Sequence, residues 1–310
     1  MITKPMDVLD QFEIRKTTKQ KIDFINSVTE FVREKGYEVK LESGKRGCRN
    51  ILIGDVKKAE YLVTAHYDTP ASIGIPNFIT PCNPVAFILI QFLILIPFFT
   101  VAFICGMIAA LLGGDESAIF LAAYIGYFAM LFLLLFGPAN RHNANDNTSG
   151  VVTVLETMCA LPDELKDKVA FVLFDLEEAG LVGSASYRKV HKEHTENQIV
   201  LNLDCVGDGD NIVLFPVKKF KKDSAKMQWL ESAAGAVGKK NIVIRGSGFS
   251  YYPSDQRHFP KGVGISALKR ARFVGYYCDR IHTWRDINLD ENNVGILRDM
   301  LIGLISRGVQ

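Results

Sequence analysis

Apolar residues recur along this chain with two different periods, and between those regions lies a third pattern that is apolar on every side. Over residues 17–35, Ile22, Ile25, Val28, Phe31 and Val32 fall on one side of a 3.6-residue repeat that stops at Gly36, which predicts an amphipathic helix. Short apolar runs at 37–41, 50–53 and 61–65 predict strands. Further on, Asp146-Asn147-Thr148-Ser149-Gly150 reads as the cap of a helix over 151–161, with Asp146 first of all an N-cap. Residues 169–174 and 199–203 are apolar nearly throughout, as buried parallel strands are. A helix near 224–237, a strand near 264–268 and a last helix over 293–305 complete the series. This alternation predicts an α/β domain with a mostly parallel central sheet flanked by helices.

The third pattern occupies residues 72–137, where 47 of 66 residues are apolar and only Asp115 and Glu116 are charged. Two helices are expected there, over about 85–112 and 118–136, separated by Gly113-Gly114-Asp115-Glu116-Ser117. As helices they would be about 42 Å and about 29 Å long, against a hydrocarbon core of about 30 Å. The first has room to tilt or to kink at Pro97. A transmembrane hairpin is therefore predicted as an insert in a catalytic domain formed by residues 1–71 and 138–310. A hairpin buried against a partner, or lying over the domain as a lid, is the alternative.

Charge sets the expected topology. The turn between the helices has no Lys or Arg, whereas thirteen precede Pro84 and Arg141 follows the second helix. The positive-inside rule puts both soluble parts in the cytoplasm, with the lipid bilayer as a partner of the insert. The first sixteen residues have no apolar signal-peptide core. Over the whole chain 36 basic residues face 34 acidic ones, and no basic stripe stands out, so nucleic acid is not expected as a partner. Six cysteines without a C-x-x-C pair are expected to be reduced and buried. Oligomeric state has no signature here.

Polar residues at the ends of the predicted strands carry the chemistry. His66 and Asp68 follow the run at 61–65, Glu177 and Glu178 follow 169–174, Asp204 ends 199–203, and Asp146 precedes its helix. His282 lies in a loop before the last helix. In open α/β sheets ligands bind beyond the carboxyl ends of the strands, where these groups converge. Two divalent ions about 3.5–4 Å apart need a bridging carboxylate and further ligands on each, and imidazole with carboxylate suits zinc. One carboxylate is then left over, and metal-assisted hydrolysis needs one as general base.

The segments AHYDT, NANDNTSGV, FVLFDLEEAGLVGS, LNLDCVGDG and IHTWRD, in that order, resemble the di-zinc aminopeptidase family. That family includes bacterial leucyl aminopeptidases, glutamate carboxypeptidases and glutaminyl cyclases. The resemblance covers most of 17–71 and 138–310 and implies the zinc exopeptidase (phosphorylase/hydrolase-like) fold. It implies two Zn2+ ions, with Co2+ or Mn2+ as substitutes: His66 and Asp204 on one, Glu178 and His282 on the other, and Asp146 bridging. Glu177 would be the general base, and Asp68 would orient His66 from behind, as outer carboxylates do. The implied activity is that of an aminopeptidase acting on a peptide substrate through a metal-bridged hydroxide. The Ser254-Asp255…Phe259 stretch resembles a family segment near the active site and is expected to be structural.

Two departures stand out. The hydrophobic insert separates His66 from Asp146, residues that the family keeps about a dozen apart, and Ile281 stands where some members have an oxyanion-stabilising tyrosine. Glutaminyl cyclase-like chemistry with one zinc, another amidohydrolase activity and an inactive membrane scaffold remain as alternatives. His142, His191 and His194 read as surface residues, His258 as a residue near but outside the site, and Lys218–Lys222 as a solvated or membrane-facing charge run.

Overall fold

The computed structural model describes residues 1–72, 77–234 and 240–308. Nine strands form one sheet: β1 (Val39–Ser43), β2 (Arg49–Ile53), β3 (Tyr61–His66), β4 (Val169–Phe174), β5 (Ile199–Leu203), β6 (Asn211–Pro216), β7 (Asn241–Ile244), β8 (Gly262–Ala271) and β9 (Gly275–Tyr277). Their order is β1-β2-β4-β3-β5-β8-β6-β7, with β9 on the outer part of β8. The four central strands β4, β3, β5 and β8 run parallel, while β1, β2 and β6 are joined through antiparallel pairs. β3, β4 and β5 are buried along their whole length, which explains why their sequences do not alternate.

The helix Thr18–Glu34 begins with a capping box between Thr17 and Gln20 and buries Phe24, Ile25, Val28, Phe31 and Val32 against the sheet. Burying each such side chain contributes about 1.5–3 kcal/mol. Ile22, expected on that face, is exposed; the buried face runs instead through Lys21 and Phe24, and Lys21 ends on Asp175 at 2.5 Å. Helices Gly150–Ala160 and Glu291–Arg307 cover the sheet, their buried positions joining the same core. The helix Ser224–Ala234 starts as expected, while its expected end at 235–237 lies outside the described residues. β6, β7, β9 and the helix Val182–Val190 are further elements; the apolar run Ile212–Phe215 of β6 is a strand signal of the same kind as those read above, whereas β7 and β9 are only four and three residues long.

The apolar insert forms helices Pro84–Leu111 and Glu116–Phe136, both long and apolar enough to cross a membrane. Asn83 caps the first, Asp115 caps the second, and Gly113 turns between them with a φ of 80°. The helices meet through small residues. Gly106 faces Ile119 and Ala123 with room for ordinary contact, whereas at Gly126 a side chain would come within 2.8 Å of Cys105 Sγ and 3.2 Å of the Val101 carbonyl, so glycine there lets the pair approach closely. Their outer faces expose Phe92, Phe103, Leu121, Tyr124 and Phe128 among others. The chain entering the insert pairs with the chain leaving it: Ala71 bridges Ala139, the Ser72 N–H donates to the Pro138 carbonyl at 2.9 Å, and the Asn140 N–H donates to that of Pro70 at 3.1 Å.

All six cysteines are free, but only Cys48, Cys205 and Cys278 are buried; Cys82 and Cys105 are partly covered and Cys159 is exposed, which corrects the expectation of uniformly buried thiols. His191 is likewise no surface residue. It is buried against the Tyr187 ring and pairs with Glu42 at 2.7 Å. His142 is half-exposed beside Glu13, and His194 is exposed.

Candidate active site

The parallel register aligns the strand ends. His66 lies opposite Phe174 and Thr64 opposite Asn202, so His66, the Asp175–Glu178 turn and Asp204 leave the sheet on one edge. The loop before helix Gly150–Ala160 and the loop before helix Glu291–Arg307 bring Asp146 and His282 to the same place.

Asp146 stands between the two imidazoles. Its Oδ1 is 3.4 Å from His66 Nε2 and its Oδ2 is 3.1 Å from His282 Nε2. Asp204 Oδ1 is 3.7 Å from His66 Nε2, and Glu178 Oε2 is 3.3 Å from His282 Nε2. The groups His66–Glu177–Asp204 and His66–Asp146–Glu178 each bring three donor atoms within 4.8 Å of one another. All seven residues singled out in the sequence thus converge.

Asp146 is not the N-cap of its helix. Its backbone is extended, and Asn147 supplies the capping oxygen: Asn147 Oδ1 accepts the Gly150 N–H at 3.0 Å and also the Cys205 N–H at 3.3 Å. The Asp146 carboxylate is thereby left free for the cluster. A Cβ at Gly150 would run into Asn147 and come 2.7 Å from the Leu203 carbonyl, so glycine lets this helix start hard against β5. Leu176, Cys205 and His282 all take left-handed backbone conformations, each next to a site residue or itself one. Such residues cost on the order of 1–3 kcal/mol each and gather where geometry is functional.

Asp68 acts in two ways. Its backbone carbonyl faces His66 Nδ1 at 3.1 Å, whereas its carboxylate, 3.7 Å from that nitrogen, accepts the backbone N–H groups of Glu177 at 2.9 Å and Glu178 at 3.2 Å. The carboxylate expected to orient a histidine therefore also fixes the turn carrying the two glutamates. Other residues complete this framework without having been singled out in the sequence. Asp286 accepts the backbone N–H groups of Asn145 and Asp146, and the Tyr252 hydroxyl donates to the Asp204 carbonyl at 3.1 Å. Arg15, fully buried, binds the carbonyls of Tyr67 and Phe12 and reaches Thr148 Oγ1 at 3.1 Å. Asp286 is the last residue of the IHTWRD segment and was legible there; Tyr252 and Arg15 had no local signal.

Ser254 receives the Asn202 amide at 3.0 Å, part of a buried chain that runs from Thr64 through Asn202 to Gln256. His258 meets Ser184 at 2.9 Å.

The electrostatics are those of a cation site. Burial would raise the Asp146 carboxyl, but hydrogen bonds from His282 and His66 hold it below the usual range. Burial opposes charge on both imidazoles, yet the carboxylates around them push both well above the ordinary value. Burial, aided by the Glu178 and Asp204 charges, pushes the Glu177 carboxyl well up. Glu178 Oε1 is buried with no hydrogen-bond partner among the described residues. Two imidazoles, converging carboxylates and a buried oxygen without a donor fit zinc, whose ligands are of these types.

A sheet and a site of this kind define the class of zinc-dependent exopeptidase folds, and solved structures agree. The fold is similar to a glutaminyl cyclase from Porphyromonas gingivalis, with a TM-score of 0.62, 16% identity, and 98% of this chain and 96% of that one covered. It is also similar to a leucine aminopeptidase precursor from Bacteroides thetaiotaomicron, with a TM-score of 0.60, 16% identity, and 98% and 94% covered. A Zn-dependent exopeptidase from Parabacteroides distasonis aligns with a TM-score of 0.57, 14% identity, and 97% and 96% covered. No curated protein matches the sequence. The profile of peptidase family M28 matches residues 127–301, more than half the chain, and the chain belongs to that family. It is a zinc metallopeptidase, a hydrolase of peptides.

Proposed function

We propose that the protein is a membrane-anchored aminopeptidase that uses two zinc ions. His66 and Asp204 would hold one, Glu178 and His282 the other, and Asp146 both. The single observation that carries this reading is the Asp146 carboxylate, which offers one oxygen to the His66 side and the other to the His282 side.

When bound, the metals supply Lewis acidity that polarises the scissile carbonyl and eases deprotonation of water. Glu177 takes the proton of the attacking water and returns it to the leaving amine. Asp68 holds Glu177 and Glu178 through their backbone N–H groups, so base and ligand move as one unit. Arg15 and Asp286 fix the loop that carries Asp146.

We further propose that residues 1–71 and 138–310 form the catalytic domain and 72–137 an inserted transmembrane hairpin, with the catalytic domain in the cytoplasm. The exposed apolar faces of both helices and the absence of Lys and Arg from their turn support this. The site would then open onto a juxtamembrane space and take short peptides. Purified protein, assayed for zinc per chain and for release of amines from aminoacyl amides, tests the reading. Two zinc ions with amine release are expected. One zinc with cyclisation of N-terminal glutamine would assign it to glutaminyl cyclase chemistry instead, and no turnover would make it a scaffold.

A further inference from the structure

Beside the base of the first apolar helix lies a cleft of about 760 Å³ whose lining includes Lys218, Lys219, Lys221 and Arg257 and no carboxylate. Lys219 is paired with Glu196. Among the described ion pairs, Lys221, Arg257 and the neighbouring Arg245 have no carboxylate partner. Lys221 is held by the Ser250 hydroxyl at 3.0 Å, and Arg257 by the Tyr251 hydroxyl at 2.8 Å with its guanidinium 4.6 Å above that ring. Arg245 Nε is buried without a partner among the described residues. Burial and the Arg245 charge together lower the Lys221 ammonium below its ordinary value, the mark of cations gathered without an anion.

Tyr251 ties this cleft to the hairpin. Its ring meets Phe87 edge-on at 5.5 Å, in the first turns of the helix Pro84–Leu111, and its N–H donates to the Pro81 carbonyl at 2.8 Å. The fields of Arg245 and Lys221 also reach Cys82, two residues before that helix. If the hairpin spans a bilayer, the end of the cleft at Tyr251 and Arg257 stands where the apolar helix begins, at the level of lipid phosphates.

We infer that this cleft binds the phosphate headgroup of an anionic phospholipid from the leaflet that receives both ends of the hairpin. Guanidinium and ammonium groups match the phosphodiester oxygens, and the ring pair of Tyr251 and Phe87 lies alongside the glycerol and first methylenes. Bound lipid clamps the catalytic domain to the membrane at a second point and fixes its tilt. This inference rests on the membrane-anchored reading.

The test uses the full chain in nanodiscs of phosphatidylcholine alone or mixed with phosphatidylglycerol, with native mass spectrometry counting retained lipid and thermal unfolding read in parallel. Phosphatidylglycerol should be retained preferentially and raise the midpoint. Lys221→Gln and Arg257→Gln should each weaken retention by about 5-fold, the effect of one basic residue at an anionic surface, and Arg257→Lys should restore part of it. Equal retention of both lipids by wild type overturns the inference. So does inorganic phosphate that raises the midpoint equally in phosphatidylcholine discs, since the occupant is then a free anion. Alkaline carbonate extraction of native membranes tests the anchor separately. A retained chain without lipid preference sinks only the cleft, whereas an extracted chain sinks the anchor.

Discussion

The backbone N–H of Asp146 donates to Asp286 Oδ2 at 3.0 Å, so the carboxylate between the two histidines is aimed through its main chain. Asp286 also takes the Asn145 N–H at 2.8 Å, which fixes two consecutive peptide groups with one side chain. Asp286→Ala should leave the sheet intact and lower zinc affinity by about 10–100-fold, as loss of an outer support does. Chelator competition against wild type measures it, and unchanged affinity would remove Asp286 from the framework.

The same residue gives a pH dependence in the metal-free protein. Burial, with the Asp146 charge nearby, pushes the Asp286 carboxyl up to about 8 from an ordinary 3.8. Between those values the folded chain keeps a proton that the unfolded chain has lost, so this group's contribution to stability is lost as pH rises from about 4 to about 8. Asp286→Asn cannot ionise and should lose less stability over that range. Denaturant midpoints measured against pH decide the matter; parallel profiles for the two proteins contradict the assignment.

Glu177→Gln keeps the size of the side chain and the backbone N–H bound by Asp68, but removes the base. Zinc content should stay near that of wild type while kcat falls by about 10²–10⁴. A variant that turns over aminoacyl amides at the wild-type rate would falsify the role given to Glu177.

Asp146→Asn should disturb both metal positions, whereas His66→Ala or His282→Ala should weaken chiefly one. Zinc per chain, titrated under a weak chelator, separates these outcomes. Complete loss of both ions from each histidine variant argues against the division of ligands proposed above.

Replacing residues 73–136 by a short Gly/Ser linker should yield protein that stays in the aqueous phase and keeps its zinc, because Ala71 and Ala139 already meet at the base of the hairpin. Wild-type protein that needs no detergent would turn the insert into a lid or partner-binding arm.

Strands 169–174 and 199–203 were legible to within a residue or two because burial is uniform along them, and the two apolar helices because they are apolar on every side over their whole length. The cluster was legible because its residues sit at the ends of those strands, where the alternation of elements already places a ligand. Arg15 and Tyr252 were not. Arg15 touches Tyr67 and Thr148 across 52 and 133 residues of sequence, and no local pattern encodes such a contact. Asn147 was hidden for a different reason: it competes with Asp146 for the same capping role, and only the backbone turn between them decides which side chain points into the helix. β7 and β9, four and three residues long at the outer part of the sheet, bury too little to leave a period.

The pairing of β3 has a consequence for how the chain is made. Its only neighbours in the sheet are β4 and β5, both of which follow the apolar hairpin in the sequence. When His66 leaves the ribosome, the strand that carries it has no partner, and it cannot gain one until about a hundred further residues have been synthesised. The two apolar helices emerge in that interval. The hairpin must therefore find its surroundings while only β1 and β2 can have paired and the central sheet is still unformed, and zinc can be captured only afterwards.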